Sequence, residues 1–434
     1  MTWETLAAIH SVLLALCLAG TWLAVAWWSV LAFAGYVYSR EAVRRQEAPA
    51  PDEWPAVSLL VPAHNEEIVM AGTIESLLHL DYPRDRMEII VIEDSSTDHT
   101  RRVIEHLMAV DRRVKLVAIP PGLGGRGKSH ALNAGLAHAS HGLIAVYDAD
   151  NSPEPTSLRR LVAELLAEPR LAAAVGKVRT LNARASFLTR CIAIEFIAFQ
   201  WIAQAGRWRL LRLASLPGTN YVIRREALER VGGWDTQAIA EDAELTVRLA
   251  QEGHQIKFVP QAVTWEPEPQ HWAVWVRQRL RWARGGTYVV RKYLPRLVRS
   301  RRRHLVVEVL HLFAIYHLFF WLMVASDLTF LSGLVAGLVL GMGGGPLLLL
   351  WALAAALLGL QMALALAIEK EDTPANLLVV AAMYFTYCQA WLYICGRAHY
   401  LDCVKRERLW WDKTVRVPTA PRYAPQLRLA RGGQ

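Results

Sequence analysis

Asp148 and Asp150 close the stretch Ile144–Asn151 (IAVYDADN) and form the pair of side chains most readily turned to chemistry. The apolar run Leu143–Tyr147 before them has the length and composition of a strand. On an extended strand end, side chains at i and i+2 point the same way, so both carboxylates can reach one ion. Mg²⁺ or Mn²⁺ held by one or two carboxylates completes its shell with water and substrate phosphates. In open α/β sheets ligands sit at the carboxyl ends of strands, where this pair falls. An ordinary Asp-rich turn is the plain alternative, and the elements around the pair decide between them.

From Val57 onward, short apolar runs alternate with helical patterns. Val57–Val61, Ile89–Ile92, Val114–Ala118 and Leu143–Tyr147 are expected strands. Helices are expected near Glu66–His79, Thr97–Ala109 and Ser129–Ala139. Such alternation predicts a parallel, Rossmann-like α/β sheet with covering helices. Three polar loops then fall on the same sheet edge as the aspartate pair: Pro62–Glu67, Glu93–Asp98 and the Gly-rich Gly122–Lys128. Each also fits a capped helix start, with Asn65, Ser95 and Thr97 as caps. Four polar loops on one edge favour a cleft. The Gly-rich loop lacks the Walker A spacing, which disfavours an ATPase, while Lys128 is placed to meet a diphosphate as a point charge.

The composition adds a membrane. With 434 residues, 53% hydrophobic, and a mean hydropathy of +0.19, the chain is too apolar for a purely soluble protein. Its net charge of +9 is concentrated beside apolar stretches: Arg291, Lys292, Arg296, Arg299 and Arg301–Arg303 before one, Arg397, Lys405, Arg406, Arg408, Lys413 and Arg416 after another. That placement marks the cytoplasmic side and anionic headgroups, and disfavours nucleic acid. The five cysteines show neither a C-x-x-C pair nor a metal-ligand spacing.

Leu6–Tyr38 is long enough to span a bilayer as one tilted helix, with two short spans as the alternative, and its flanking charges place the N-terminus outside. Gln46–Pro55 reads as a linker. Phe187–Leu213 reads as an amphipathic segment at the membrane surface. The later apolar runs Leu305–Ala325, Leu328–Gly341 (with Asp327 at the turn), Leu347–Ile368 and Leu377–Cys395 give five spans in all, with four as the alternative. The expected division is an N-terminal helix (1–45), a catalytic domain (46–268), an amphipathic interfacial helix (269–303), membrane helices (304–396) and a basic tail (397–434). The predicted location is the cytoplasmic membrane, multi-pass, with the catalytic domain facing the cytoplasm.

The ordered set VSLLVPAHNEE, VIEDSSTD, GKSHALNAG, VYDADN, AEDAE and QRLRW resembles the membrane-embedded family-2 glycosyltransferases. Within that family it is most similar to processive synthases of the poly-N-acetylglucosamine, chitin-oligosaccharide, hyaluronan and cellulose type. The resemblance covers roughly Pro55–Arg303. It departs at Glu93 and Ser95, where many relatives carry Asp and Gly, and the chain has no room for the extra regulatory domain of bacterial cellulose synthases.

The resemblance implies a GT-A type domain inserted between transmembrane helices, using a UDP-sugar and Mg²⁺ or Mn²⁺. Ala63, Asn65, Glu66 and Asp94 would hold the uridine, with Lys128 beside the diphosphate. Asp148 and Asp150 would hold the diphosphate, Asp150 through the metal. Asp242 matches the position of the general base, with Glu241 its neighbour and next candidate. Their position at the start of a helical stretch (Glu241–Glu252) also fits an acid that merely stabilises a helix N-terminus. Gly218, Thr219 and Asn220, followed by Trp234 and Asp235, would border the acceptor, although Trp234 also fits the core. Gln278, Arg281 and Trp282 (Q-x-x-R-W) share one helical face. Arg281 suits a phosphate, Trp282 suits stacking on a sugar, and an interfacial anchor is the bland reading.

The implied reaction is inverting, processive extension of a β-linked polysaccharide, with UDP-N-acetylglucosamine as first donor and UDP-glucose as second. Membrane lipids and an accessory membrane protein are the further expected partners. The rivals are one-step transfer to a lipid-linked acceptor and, outside enzymes, a transporter or scaffold.

Overall fold

Between a long N-terminal helix, α1 (Trp3–Arg44), and a set of apolar helices at its other end, the chain alternates strand and helix. The computed structural model describes residues 3–44, 49–120, 122–297, 303–340 and 345–408. β1 (Val57–Ala63), β2 (Met87–Asp94) and β4 (Leu143–Val146) are near-continuous apolar runs, as strands covered on both faces must be, while β3 (Val114–Ile119) is a partly exposed edge strand. Their connections are α2 (Met70–Leu78), α3 (Thr100–Val110) and α4 (Lys128–His138). β2, β1 and β4 pair in parallel, with β3 parallel outside β2.

The expected all-parallel sheet is corrected beyond β4. The eight strands run β3-β2-β1-β4-β7-β6-β8-β5, where β5 is Ser152–Pro153, β6 Leu171–Thr180, β7 Tyr221–Arg224 and β8 Gln255–Glu266. β7 lies antiparallel to both β4 and β6, so the sheet is mixed. The chain leaves the sheet after β6 for a helical excursion, α6 (Phe187–Ala198), a π-helical turn (Phe199–Ala205) and α7 (Gly206–Leu211), and re-enters pointing the other way. The excursion covers the segment Phe187–Leu213 expected as a helix. α5 (Ser157–Ala167) and α8 (Arg225–Arg230) complete the cover.

α9 (Glu241–Gln251) and α10 (Trp272–Leu297) bring the last functional segments. Beyond them, α11 (Arg303–Phe313), a π-helical turn (Ala314–Leu318) and α12 (Phe319–Leu340) form one unbroken helical run. Asp327 is therefore inside a helix, and the expected turn there is corrected: one Asp among helix-forming apolar residues opposes helix by well under about 1 kcal/mol. α13 (Gly345–Ile368) returns beside α1, where Gln361 donates to Ser29 Oγ at 2.8 Å. α14 (Pro374–Phe385) and α15 (Tyr387–His399), continued by a π-helical turn (Tyr400–Val404), end the described chain.

Among the described residues, Ser11–Arg44, His304–Ala325 and Pro374–Val404 are long and apolar enough to cross a membrane, and Ala352–Ile368 is a shorter apolar helix. The turn after α13 does not lie where five alternating spans would put it, on the side away from the sheet. Glu369 pairs with Lys177 at 2.6 Å and Arg179 at 3.3 Å, both on β6, and accepts from Trp201 Nε1 at 2.7 Å. Those cations keep the Glu369 carboxyl below its ordinary range despite its burial. Arg299, Arg301 and Arg302 and the tail from 409 to 434 lie outside the described residues.

Candidate active site

The three polar loops interlock over the ends of β1 and β2. Asn65 adopts a left-handed conformation (φ 55°), which Asn tolerates, and turns its Oδ1 toward the second loop to accept from Thr97 N at 2.7 Å. Glu66 N donates to Thr100 Oγ1 at 2.7 Å. His64 Nδ1 lies 2.6 Å from Asp94 O, while Asp94 Oδ1 accepts from Gly125 N at 2.9 Å. Gly124 packs so closely that any side chain there would run into Asp94 and Ser95. Ala63, Asn65, Glu66 and Asp94 thus come together as expected. The Gly-rich loop, however, closes onto Asp94 rather than standing apart as a separate phosphate cradle.

The aspartate pair differs from the expected strand end. β4 stops at Val146, and Asn151 N donates to Asp148 O at 3.2 Å, so Asp148 and Asp150 sit in a turn. The turn is fixed by Thr219, whose Oγ1 accepts from Asp148 N at 3.0 Å and donates to Asn151 Oδ1. Asp148 is partly exposed, whereas Asp150 is buried. No three His, Cys, Asp or Glu residues cluster as a metal cage among the described residues. Hard oxygen donors from one or two carboxylates fit Mg²⁺ or Mn²⁺ completed by phosphate oxygens and water.

Lys128 joins the two halves of the site. Gly127 (φ 98°) is the N-cap of α4, and Lys128, the first residue of the helix, turns toward Asp148 and Glu241. The Lys128 ammonium lies 2.6 Å from Asp148 Oδ1 and 3.3 Å from Glu241 Oε1, and donates to Gly218 O at 2.7 Å. Burial works against its charge, but the carboxylates of Asp148, Glu241 and Asp242 outweigh it and hold the group well above the usual lysine range.

Glu241 and Asp242 are the first residues of α9, as expected. Desolvation, joined by repulsion from Glu241, pushes the Asp242 carboxyl up to about 7, with Lys128 opposing. Gly218 (φ 85°) brings its backbone against this group; a Cβ there would stand 3.1 Å from Asp242 Oδ2. A carboxylate poised near neutrality beside an open backbone position can take a proton from a hydroxyl.

Two acceptor expectations are corrected. Asn220 is fully buried, with its amide given to Ala262 O at 3.0 Å and Lys177 O at 3.1 Å, so it ties β7 to its neighbours. Trp234 is 2% exposed, its Nε1 donates to Tyr221 Oη at 3.3 Å, and Asn133 grips its backbone. Its faces are filled by the core and offer no sugar platform. Asp235 bonds Tyr288 and Lys292 of α10, each at 2.8 Å.

Gln278, Arg281 and Trp282 lie on α10, which packs Gly285 against Ala240 just before Glu241. Sequence reasoning missed what holds them. Arg279 is fully buried, donates to Gln278 Oε1 at 2.9 Å, pairs with Glu195 at 2.7 Å and stacks 3.9 Å from the Trp282 ring centre. It also missed the buried Glu268, whose carboxyl desolvation pushes up to about 7, with Arg279 opposing and Asp150 adding to the rise. The Glu266-Pro-Glu268 spacing just before α10 is the signal that pointed there.

Comparison with known proteins gives the family and the fold. A family model described as glycosyltransferase-like family 2 matches residues 55–285. A probable glycosyltransferase, YdaM of Bacillus subtilis (strain 168), is 42% identical over 368 residues, covering 84% of this chain and 87% of the relative. The β-monoglucosyldiacylglycerol synthase of Synechocystis sp. is 36% identical over 236 residues, 54% of this chain and 48% of the relative. A poly-β-1,6-N-acetyl-D-glucosamine synthase of Staphylococcus epidermidis is 28% identical over 251 residues, 58% and 59% respectively. This chain therefore spans about half the length of these last two. A mannosyltransferase from Pyrobaculum calidifontis, solved with GDP-Man and Mn²⁺, shares the fold with a TM-score of 0.57 and 22% identity, over 87% of this chain and 98% of that one.

Proposed function

The chain belongs to the family-2 glycosyltransferases, and from that premise we propose an inverting transfer from a UDP-sugar in which Asp242 takes the acceptor's proton. It is a glycosyltransferase with a GT-A-like fold built on a mixed sheet. The observation that carries the proposal is the Lys128 bridge from Asp148 of the donor loop to Glu241, the neighbour of Asp242, whose carboxyl is pushed up to about 7.

In this reading the loops of Ala63, Asn65, Glu66 and Asp94 hold the uridine, and Lys128 and Arg281 meet the diphosphate. Asp148 and Asp150 would hold Mg²⁺ or Mn²⁺, which when bound stabilises the charge on the departing UDP. Asp242, half-buried, deprotonates the acceptor hydroxyl as the sugar–phosphate bond breaks, so the sugar inverts once. Thr219 keeps the aspartate turn in place, Gly218 leaves room beside the base, Gln278 stands with Arg281 on the donor side, and Trp282 borders donor and acceptor. Glu241 is held on Lys128, which favours Asp242 over it as the base.

The acceptor proposed first is a growing β-linked polysaccharide built from UDP-N-acetylglucosamine, with UDP-glucose as second donor, made at the cytoplasmic face of a membrane. The Q-x-x-R-W set on α10 supports it. One-step transfer to a diacylglycerol-type lipid is the second reading, favoured by the higher identity to the β-monoglucosyldiacylglycerol synthase. Screening UDP release from purified protein with each donor, with products sized on a gel and extracted into organic solvent, separates the two. A ladder of lengths supports the first, a single organic-soluble product the second, and no UDP release from any donor overturns both.

A further inference from the structure

The apolar run Pro374–Val404 has the length and composition of a membrane span, yet its contacts are incompatible with crossing. Its beginning is fixed to the sheet: the turn before it pairs Glu369 with Lys177 and Glu371 with Arg179 at 3.2 Å, and Asn376 donates to Glu371 O at 2.8 Å. Its middle is fixed to α6 and α10. Tyr387 Oη donates to Glu195 at 2.7 Å and accepts from Trp275 Nε1 at 3.1 Å, and Trp391 Nε1 donates to Glu195 at 3.0 Å. Its end is fixed to α10 again, where Arg284 pairs with Asp402 at 2.7 Å and Glu407 at 3.1 Å.

The run breaks at Thr386 into α14, 12 residues and about 18 Å long, and α15 with its π-helical turn, 13 and 5 residues and about 27 Å long at 1.5 Å per residue. Crossing a hydrocarbon core of about 30 Å would carry one end far from the catalytic domain. A re-entrant hairpin would instead lift the middle away. Start, middle and end all touch the domain, so neither path fits.

The opposite face has the chemistry of a lipid boundary. Leu378, Phe385, Tyr393, Tyr400 and Val404 are exposed along it. Arg397 donates to Tyr393 Oη at 3.0 Å, and the Lys405 ammonium stands 5.9 Å from the Tyr400 ring centre. Tyrosines paired with basic side chains above an apolar stripe suit acyl chains below and anionic headgroups at their level.

We propose that Pro374–Val404 lies in the plane of one membrane leaflet, docked on α6 and α10, with the acyl–headgroup boundary as its partner. This rests on the membrane reading of α1, of the α11–α12 run and of α13, which become the three crossing helices. Lys405, Arg406 and Arg408 then stay on the side of the catalytic domain, which satisfies their charge without a further span. The same helix pair reaches the acceptor side of the site, because Glu195 joins Tyr387 and Trp391 to Arg279, which holds Gln278 and Trp282.

The test uses full-length protein in proteoliposomes, its native cysteines replaced, with single spin labels at L378C, F385C, Y393C and V404C and depth read from oxygen and nickel accessibility. All four sites are expected at one shallow depth, about 5–10 Å below the headgroups. A label at L16C on α1 is expected near the bilayer centre and a thiol at R408C to react only from the catalytic side. F385C at the bilayer centre with L378C and V404C near opposite surfaces, or R408C reacting from the far side, overturns the proposal. Should L16C itself report water, the membrane reading fails, and that outcome is distinct from L16C buried with Pro374–Val404 crossing.

Discussion

Lys128 and Asp148 come within 2.6 Å of each other although 20 residues separate them, and the same ammonium reaches Glu241 at 3.3 Å. One cation therefore spans the donor loop and the start of the base helix. Replacing it with the neutral Lys128→Gln should weaken UDP binding, because a charge on the diphosphate side is lost. It should also shift the acid limb of kcat/KM to higher pH, since Lys128 opposes the rise in the Asp242 carboxyl. Titration calorimetry with UDP and a pH profile check both parts. An unchanged pH profile would mean that Lys128 serves the donor alone.

Asp150→Ala should leave a folded protein whose affinity for UDP no longer responds to Mg²⁺ or Mn²⁺ and whose turnover is lost. The motive is the buried carboxylate of Asp150 beside the donor loop, in a turn suited to a hard cation. Calorimetry with and without the metal is the measurement. Retained metal dependence would move the ion elsewhere.

Arg279→Lys keeps the charge but cannot hold Glu195 and Gln278 while stacking on Trp282. Acceptor KM should rise while UDP affinity changes little. Arg279→Ala should destabilise by about 3–5 kcal/mol, the usual effect of breaking a buried pair. A rise in donor KM alone for the lysine variant would place Arg279 on the diphosphate side.

Trp234→Ala tests the correction to the acceptor site. A large buried aromatic truncated to Ala loses about 3–5 kcal/mol of stability. Melting should fall strongly, while the acceptor KM of whatever remains folded should stay near its original value. A selective rise in acceptor KM without a change in melting would return Trp234 to the sugar site.

What could be read from the chain followed from local pattern. The strands at Val57, Ile89, Val114 and Leu143 and the start of α9 at Glu241 were legible because apolar runs ending in polar loops have few other readings. β7 entering antiparallel was not, because four residues (Tyr221–Arg224) say nothing about direction. Asn220 and Trp234 looked like a sugar rim, since residue type does not reveal which loop side chains turn into the core. Arg279 was passed over between Gln278 and Arg281 because its partners, Glu195 and Trp282, converge only in the fold. Hydropathy likewise could not show that the last apolar run is tied to the domain through Glu369, Tyr387 and Asp402.

The central claim is that Asp242 is the base, and Asp242→Asn examines it most directly. The amide keeps the volume and can still hydrogen-bond, but it cannot accept the acceptor's proton. In wild type, kcat/KM should fall as pH drops below about 7, as the raised carboxyl becomes protonated. In the variant, kcat measured by UDP release should drop by about 10²–10⁴ and lose that acid limb, with UDP affinity by calorimetry nearly unchanged. Loss of UDP binding as severe as that of Asp150→Ala, or turnover near the wild-type rate, would contradict the assignment and leave Glu241 as the next carboxylate to examine.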